Sequence, residues 1–202
     1  MALTINQKIV NYVRGNLGKQ IADGECWTLA ERALAGAGAQ TSKDIMGPSN
    51  VTPNADYVWG DEIDHKDIIP GDVLQFRDYV MTTTTVVSVL YTNLPAGVTV
   101  RPNPVDESEQ EETFDESHHT SIASSGYANK RLSVLHQNVP PKGKKVQAGT
   151  IALESIPATK AVSDGTRMLD VNGKKIRVNV KVSTTVTVTV EGSIWAYRPR
   201  KK

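Results

Sequence analysis

In this 202-residue chain, a nucleophile with its base can be built from one cysteine, Cys26, and four histidines, His65, His118, His119 and His136. A thiol attacks a carbonyl as its thiolate, so the surroundings of Cys26 decide its worth. Cys26 follows Gly24 and Glu25 at the head of ECWTLAERALAGAGA, where Trp27, Ala30, Leu34 and Ala37 fall on one helical face. The spacing predicts a helix with Cys26 in its first turn, and the unpaired amides and positive dipole end found there favour thiolate over thiol. Gln20, six positions earlier, would supply a side-chain amide to join the Cys26 N–H in an oxyanion hole.

His65 sits in the polar stretch DEIDHKD and reads as a surface residue. His118 and His119 stand at the entry to the apolar segment TSIAS, where a side chain can reach across to a helix N-terminus. Strand alternation places His119, Ser121 and Ala123 on one face and His118 on the other, which favours His119 as the base. The next alternating segment, LSVLHQN, ends in His136 and Asn138. If it is the antiparallel neighbour, either residue would hold the His119 imidazole in the useful tautomer, as the third member of a triad must.

The elements that must position these groups are legible in outline. Ile5, Ile9, Val10 and Val13 give a first amphipathic helix over 4–13, and the helix headed by Cys26 follows a glycine-punctuated loop. Residues 40–61, rich in Ser, Thr, Pro and Asn, read as a loop without regular structure. From Ile68 the character turns to β, with strands expected over 86–92, 98–101, 120–124, 133–137, 149–154, 177–190 and 193–198. The acidic run DESEQEETFDES, at 106–117, reads as a solvated loop, and Asn172-Gly173 between alternating segments as a hairpin turn. Helices first and strands afterward predict an α+β architecture.

Composition narrows the function classes. With 23 basic against 22 acidic residues, the chain carries no charge excess that would demand a nucleic acid or an anionic membrane. No run is apolar enough for a membrane span, and MALTINQKIVNYVRG lacks the core of a secretory signal; with a leader removed, an extracellular or periplasmic place stays open. No phosphate loop, HExxH or second cysteine is present, so no cofactor or metal is expected. His118 and His119 with Asp115 and Glu116 would make a poor metal cluster, because adjacent residues rarely converge on one ion.

GECWTLAERAL, PGDVLQF, HHTSIAS and LSVLHQN, in that order, resemble the CHAP amidase/peptidase group and its NlpC-type relatives in the papain-like superfamily. The resemblance implies a papain-like fold with N-terminal helices on an antiparallel sheet, formed by one domain over 1–202. That domain would carry an insertion at about 79–117 and a β-rich tail at about 159–202. It implies Cys26 as nucleophile, His119 as general base and His136 as orienting residue, with Asn138 near the site. Gln20 matches the glutamine-to-cysteine spacing of papain itself. The implied activity is cysteine hydrolysis of a peptide or amide bond, with peptidoglycan peptides as the leading substrate. Two other readings remain: an inactive binding domain on the same fold, and acyl transfer to an amine. His136 stands where the family more commonly has an acidic residue.

Overall fold

In the computed structural model, which describes residues 2–141 and 143–202, the chain opens with three α-helices. These are α1 (Ile5–Arg14), α2 (Cys26–Ala37) and α3 (Ser42–Met46). Helix α1 starts at a capping box, in which Thr4 Oγ1 accepts from the Gln7 amide and Gln7 Oε1 accepts from the Thr4 amide. Its buried face is Ile9, Val10 and Val13. Helix α2 buries Leu29, Ala30, Ala33, Leu34 and Ala37 and ends at Gly38, whose left-handed φ of 76° lets its N–H cap the last turn.

Seven strands follow: β1 (Asp61–Ile63), β2 (Val73–Thr92), β3 (Val105–Ala123), β4 (Arg131–His136), β5 (Gln147–Ala152), β6 (Ile156–Val171) and β7 (Lys174–Arg198). They are hydrogen-bonded in the order β1-β7-β2-β3-β4-β5, with β6 paired to β7. The chain divides into two compact units, one of Met1–Met81, Asp115–Ser155 and Val190–Lys202, the other of Thr82–Phe114 and Ile156–Thr189.

The first unit holds both main helices, and Ile9, Val13, Leu29, Leu34, Trp59, Val73, Ile122, Leu135 and Tyr197 form one buried cluster between helices and strands. The Pro-Gly-Asp turn before β2 is a structural junction. Asp72 is fully buried and accepts hydrogen bonds from Arg198, Asn6 and the Ile69 amide, fastening the last strand and the first helix to the turn. Gly71, at φ 96°, lies so close to Asn6 that a Cβ would fall 2.5 Å from its carbonyl oxygen. Antiparallel pairing sets Ile122 opposite Leu135 and His136 opposite Gln147, which aligns the ends of β3, β4 and β5.

The second unit is a β-structure in which β6 and β7 form a long hairpin about the two-residue turn Asn172-Gly173. Positive φ at both turn residues, 52° and 78°, is the geometry this dipeptide favours. Most of the segment expected as an insertion, 82–114, and the expected tail as far as 189 thus supply the two halves of this unit, while 190–202 of that tail belongs to the first unit. Several local expectations are corrected. The acidic run is strand, not loop: the first part of β3 pairs instead of floating free, with Glu107 3.3 Å from Arg167 and Thr113 beside Thr82. Residues 98–101 form no strand, 177–190 and 193–198 belong to the single strand β7, and the 40–61 loop contains α3 and a short 3-10 turn over Pro48–Asn50.

Candidate active site

Cys26 is the first residue of α2, and the polar side chains around it fix that helix end in place. The N-cap is Glu25, whose side chain makes no capping bond; Asp23 Oδ1 instead accepts from the Glu25 amide at 3.1 Å. Gln137, fully buried just beyond β4, reaches across the unit to the same segment. Its Nε2 donates to the carbonyls of Glu25 (2.7 Å) and Ile21 (3.2 Å), and its Oε1 accepts from the Ile21 amide. Asn138 donates from Nδ2 to Glu25 Oε2 at 2.8 Å, and Lys144 pairs with the other oxygen of Glu25 at 3.1 Å.

The backbone of Trp27 and of Thr120, the residue after His119, favours the ionised Cys26 thiol, which sets the sulfur against the histidine strand. Cys26 and His119 line one cavity of about 670 Å³, whose walls include Trp27, Tyr57, Glu116 and Asn138. His119 is 2% exposed, and its Nε2 stands 3.3 Å from Nδ1 of His136, with the rings edge to face. His136 is held in turn by close packing: a Cβ on Gly149 of β5 would come within 2.9 Å of His136 Nε2. A side chain at position 149 would force this ring to shift.

Burial governs the charges. Desolvation pushes the Cys26 thiol up to about 11, outweighing those two backbone groups, and the carboxylates of Glu116 and Glu25 push the same way. Desolvation also drives His136 down to about 4 and His119 well below its ordinary value, with His136 and His118 opposing its charge further. At neutral pH both partners are therefore neutral, which corrects the expectation that the helix end would leave a thiolate. Glu116, half-buried, is pushed up to about 7 by desolvation and by Asp115.

The other expected residues fall as follows. His118 also borders the cavity, but its Nε2 lies 2.6 Å from the Ala55 carbonyl oxygen and its ring packs edge-on against Tyr57. His65 is removed from the site, with Nε2 3.2 Å from the Ile194 carbonyl oxygen. Gln20 is exposed, does not line the cavity, and donates its amide to the Ala22 carbonyl at 3.0 Å. This placement corrects the expectation that Gln20 joins Cys26 in an oxyanion hole. Among the described residues no group of three or more His, Cys, Asp or Glu is placed to hold a metal ion. No described helix is long and apolar enough to cross a membrane. Gln137 and Gly149 were not anticipated: alternation turns Gln137 away from His136, and nothing in the sequence marks Gly149 as the floor under an imidazole.

Residues 1–158 match the AIM3/BBC1 cysteine proteinase-fold domain. The chain belongs to this family. No curated protein and no solved structure gives a match. The matched span contains Cys26, His119, His136 and Asn138, together with the Gln137 clamp, and ends within β6. The cysteine-proteinase fold implied by the sequence resemblance therefore stands, while the match is to the AIM3/BBC1 family and not to the CHAP or NlpC groups.

Proposed function

We propose that this domain is a cysteine hydrolase that opens a peptide or amide bond through a thioester on Cys26. The observation that carries the reading is the cavity shared by Cys26, at the head of α2, and His119, whose Nε2 is engaged by His136. The mechanism requires the tautomer in which His119 Nε2–H donates to His136 Nδ1, which makes Nδ1 of His119 the basic atom.

The reaction starts from a neutral pair. As the Cys26 sulfur attacks the substrate carbonyl carbon, its proton passes to His119 Nδ1, and the Cys26 backbone N–H receives the developing oxyanion. The imidazolium of His119 returns that proton to the leaving amine as the C–N bond breaks. Water then attacks the thioester, His119 takes its proton, and the carboxylic acid departs as the thiol is restored. His136 supports the imidazolium less than a carboxylate would, since it is itself neutral.

A second reading, a binding domain that has kept the fold and lost catalysis, is favoured by one observation: the thiol is buried among carboxylates that oppose its ionisation. A peptide library, with peptidoglycan peptides as a separate arm, separates the two when incubated with wild type, Cys26→Ala and His119→Ala and read by mass spectrometry. New peptide termini in the wild type alone support hydrolysis. Unchanged peptides in all three, with saturable capture of some of them, support the binding domain. New amide products on adding an amine would show acyl transfer through the same thioester.

A further inference from the structure

Of the charged side chains lining the Cys26 cavity, three are already accounted for. Glu25 is balanced by Lys144 and Asn138, Asp23 caps the Glu25 amide, and Lys43 rests 4.9 Å over the Trp27 ring. Glu116 differs. It sits on β3 three residues before His119, half-buried, and makes no hydrogen bond or ion pair among the described residues. Its charge reaches the Cys26 sulfur and works against the thiolate. Its neighbour Asp115 adds charge of the same sign. A lone carboxylate beside a nucleophile it opposes is a poor arrangement for the empty cavity and a good one for a cavity holding a cation, which would relieve both the carboxylate and the thiol.

We infer that Glu116 is the specificity residue of the cavity and receives a cationic group of the substrate, a lysine or arginine side chain next to the scissile bond. Resting on the hydrolase reading of the same cavity, the inference gives binding a second effect. The cation removes the like charge that Cys26 feels, so the correct substrate lowers the cost of forming the sulfur nucleophile and a neutral one does not.

The test pairs Nα-acetyl-arginine amide with its neutral isostere, Nα-acetyl-citrulline amide, on wild type, Glu116→Gln and the charge-preserving Glu116→Asp. The readout is Cys26 alkylation by iodoacetamide at pH 8.5, with thermal melts confirming that each variant is folded. Without probe, Glu116→Gln should alkylate about three- to tenfold faster than wild type, the gain expected from removing one nearby like charge. In the wild type the arginine probe should change the rate saturably, by protection or acceleration, while the citrulline probe does not. Glu116→Asp should keep that selectivity and Glu116→Gln lose it. Equal response to both probes, or selectivity that survives Glu116→Gln, overturns the inference. Because the alkylation readout does not depend on cleavage of the probe, arginine selectivity without cleavage of any peptide would sink the hydrolase reading alone. Cleavage in the library without preference for basic residues, unchanged in Glu116→Gln, would sink this inference alone.

Discussion

Cys26 should titrate late and alkylate slowly, although it opens a helix. Its thiol is pushed from 9.0 to about 11, chiefly by burial; two pH units correspond to about 3 kcal/mol against the thiolate. A thiol titrating there is ionised at pH 7 to about one part in ten thousand, whereas a free cysteine, with a pKa of about 8.5, is ionised to about 3%. Iodoacetamide consumes the thiolate, so the rate at pH 7 should fall about two orders of magnitude below that of free cysteine and keep rising beyond pH 9. A shielded thiol also reacts slowly, which makes the position of the inflection the decisive quantity. In urea, where burial is removed, the inflection should return to the ordinary value. An inflection below pH 7 in the folded protein, lost in His119→Ala, would show a preformed thiolate–imidazolium pair and refute the reasoning from desolvation.

Further outcomes follow from the same structure. His136 is a base held down to about 4, so the unfolded chain takes the proton first; its contribution is whole above pH 6.5 and drains as pH falls toward 4. Glu116, raised to about 7, slopes the opposite way between 4.5 and 7, so the measurement is the difference between wild type and His136→Gln in urea titrations. The wild type should lose about 3 kcal/mol more than the variant over that interval, and parallel curves would contradict this. Gly149→Ala, whose Cβ meets the His136 ring at 2.9 Å, should cost about 1–3 kcal/mol and lower turnover by displacing the orienting ring; unchanged melting and turnover would disprove the contact. Gln137→Leu strands the Glu25 and Ile21 carbonyls and should cost about 2–4 kcal/mol, read in the same titrations. Asp72→Asn removes the buried carboxylate that the partly exposed Arg198 pairs with, and should cost about 1–3 kcal/mol without altering the pH profile of Cys26 alkylation.

What the sequence disclosed of this site follows from which interactions leave a periodic trace. Alternation on β4 carries His136 to the strand ends where His119 lies, and the helical stripe after Gly24 places Cys26 at a helix start, while His118, which alternation assigns to the other face, borders the cavity as well. Both are local patterns, and the structure contains both elements. The charge state is not legible in such patterns because burial sets it, a property of the packed unit that the order of residues does not disclose. The spacing of Gln20 from Cys26 carries no information about its amide, which is satisfied two residues on, at Ala22. The acidic run has the composition of a loop, and its place between β2 and β4 in the sheet, which composition does not disclose, makes it strand. Gly149 matters through the space it leaves, which only its neighbours define.

The most direct test of the central claim is capture of the covalent intermediate. Wild type and Cys26→Ala, mixed with the peptide library and quenched in acid within milliseconds to seconds, would be analysed by intact mass and by mapping of the Cys26 peptide. A thioester on Cys26 whose mass equals the acyl half of a cleaved peptide, accumulating before free acid and absent from Cys26→Ala, is the outcome expected. Cleavage that persists in Cys26→Ala, or a Cys26 that never carries an acyl group while peptides remain intact, would contradict the account.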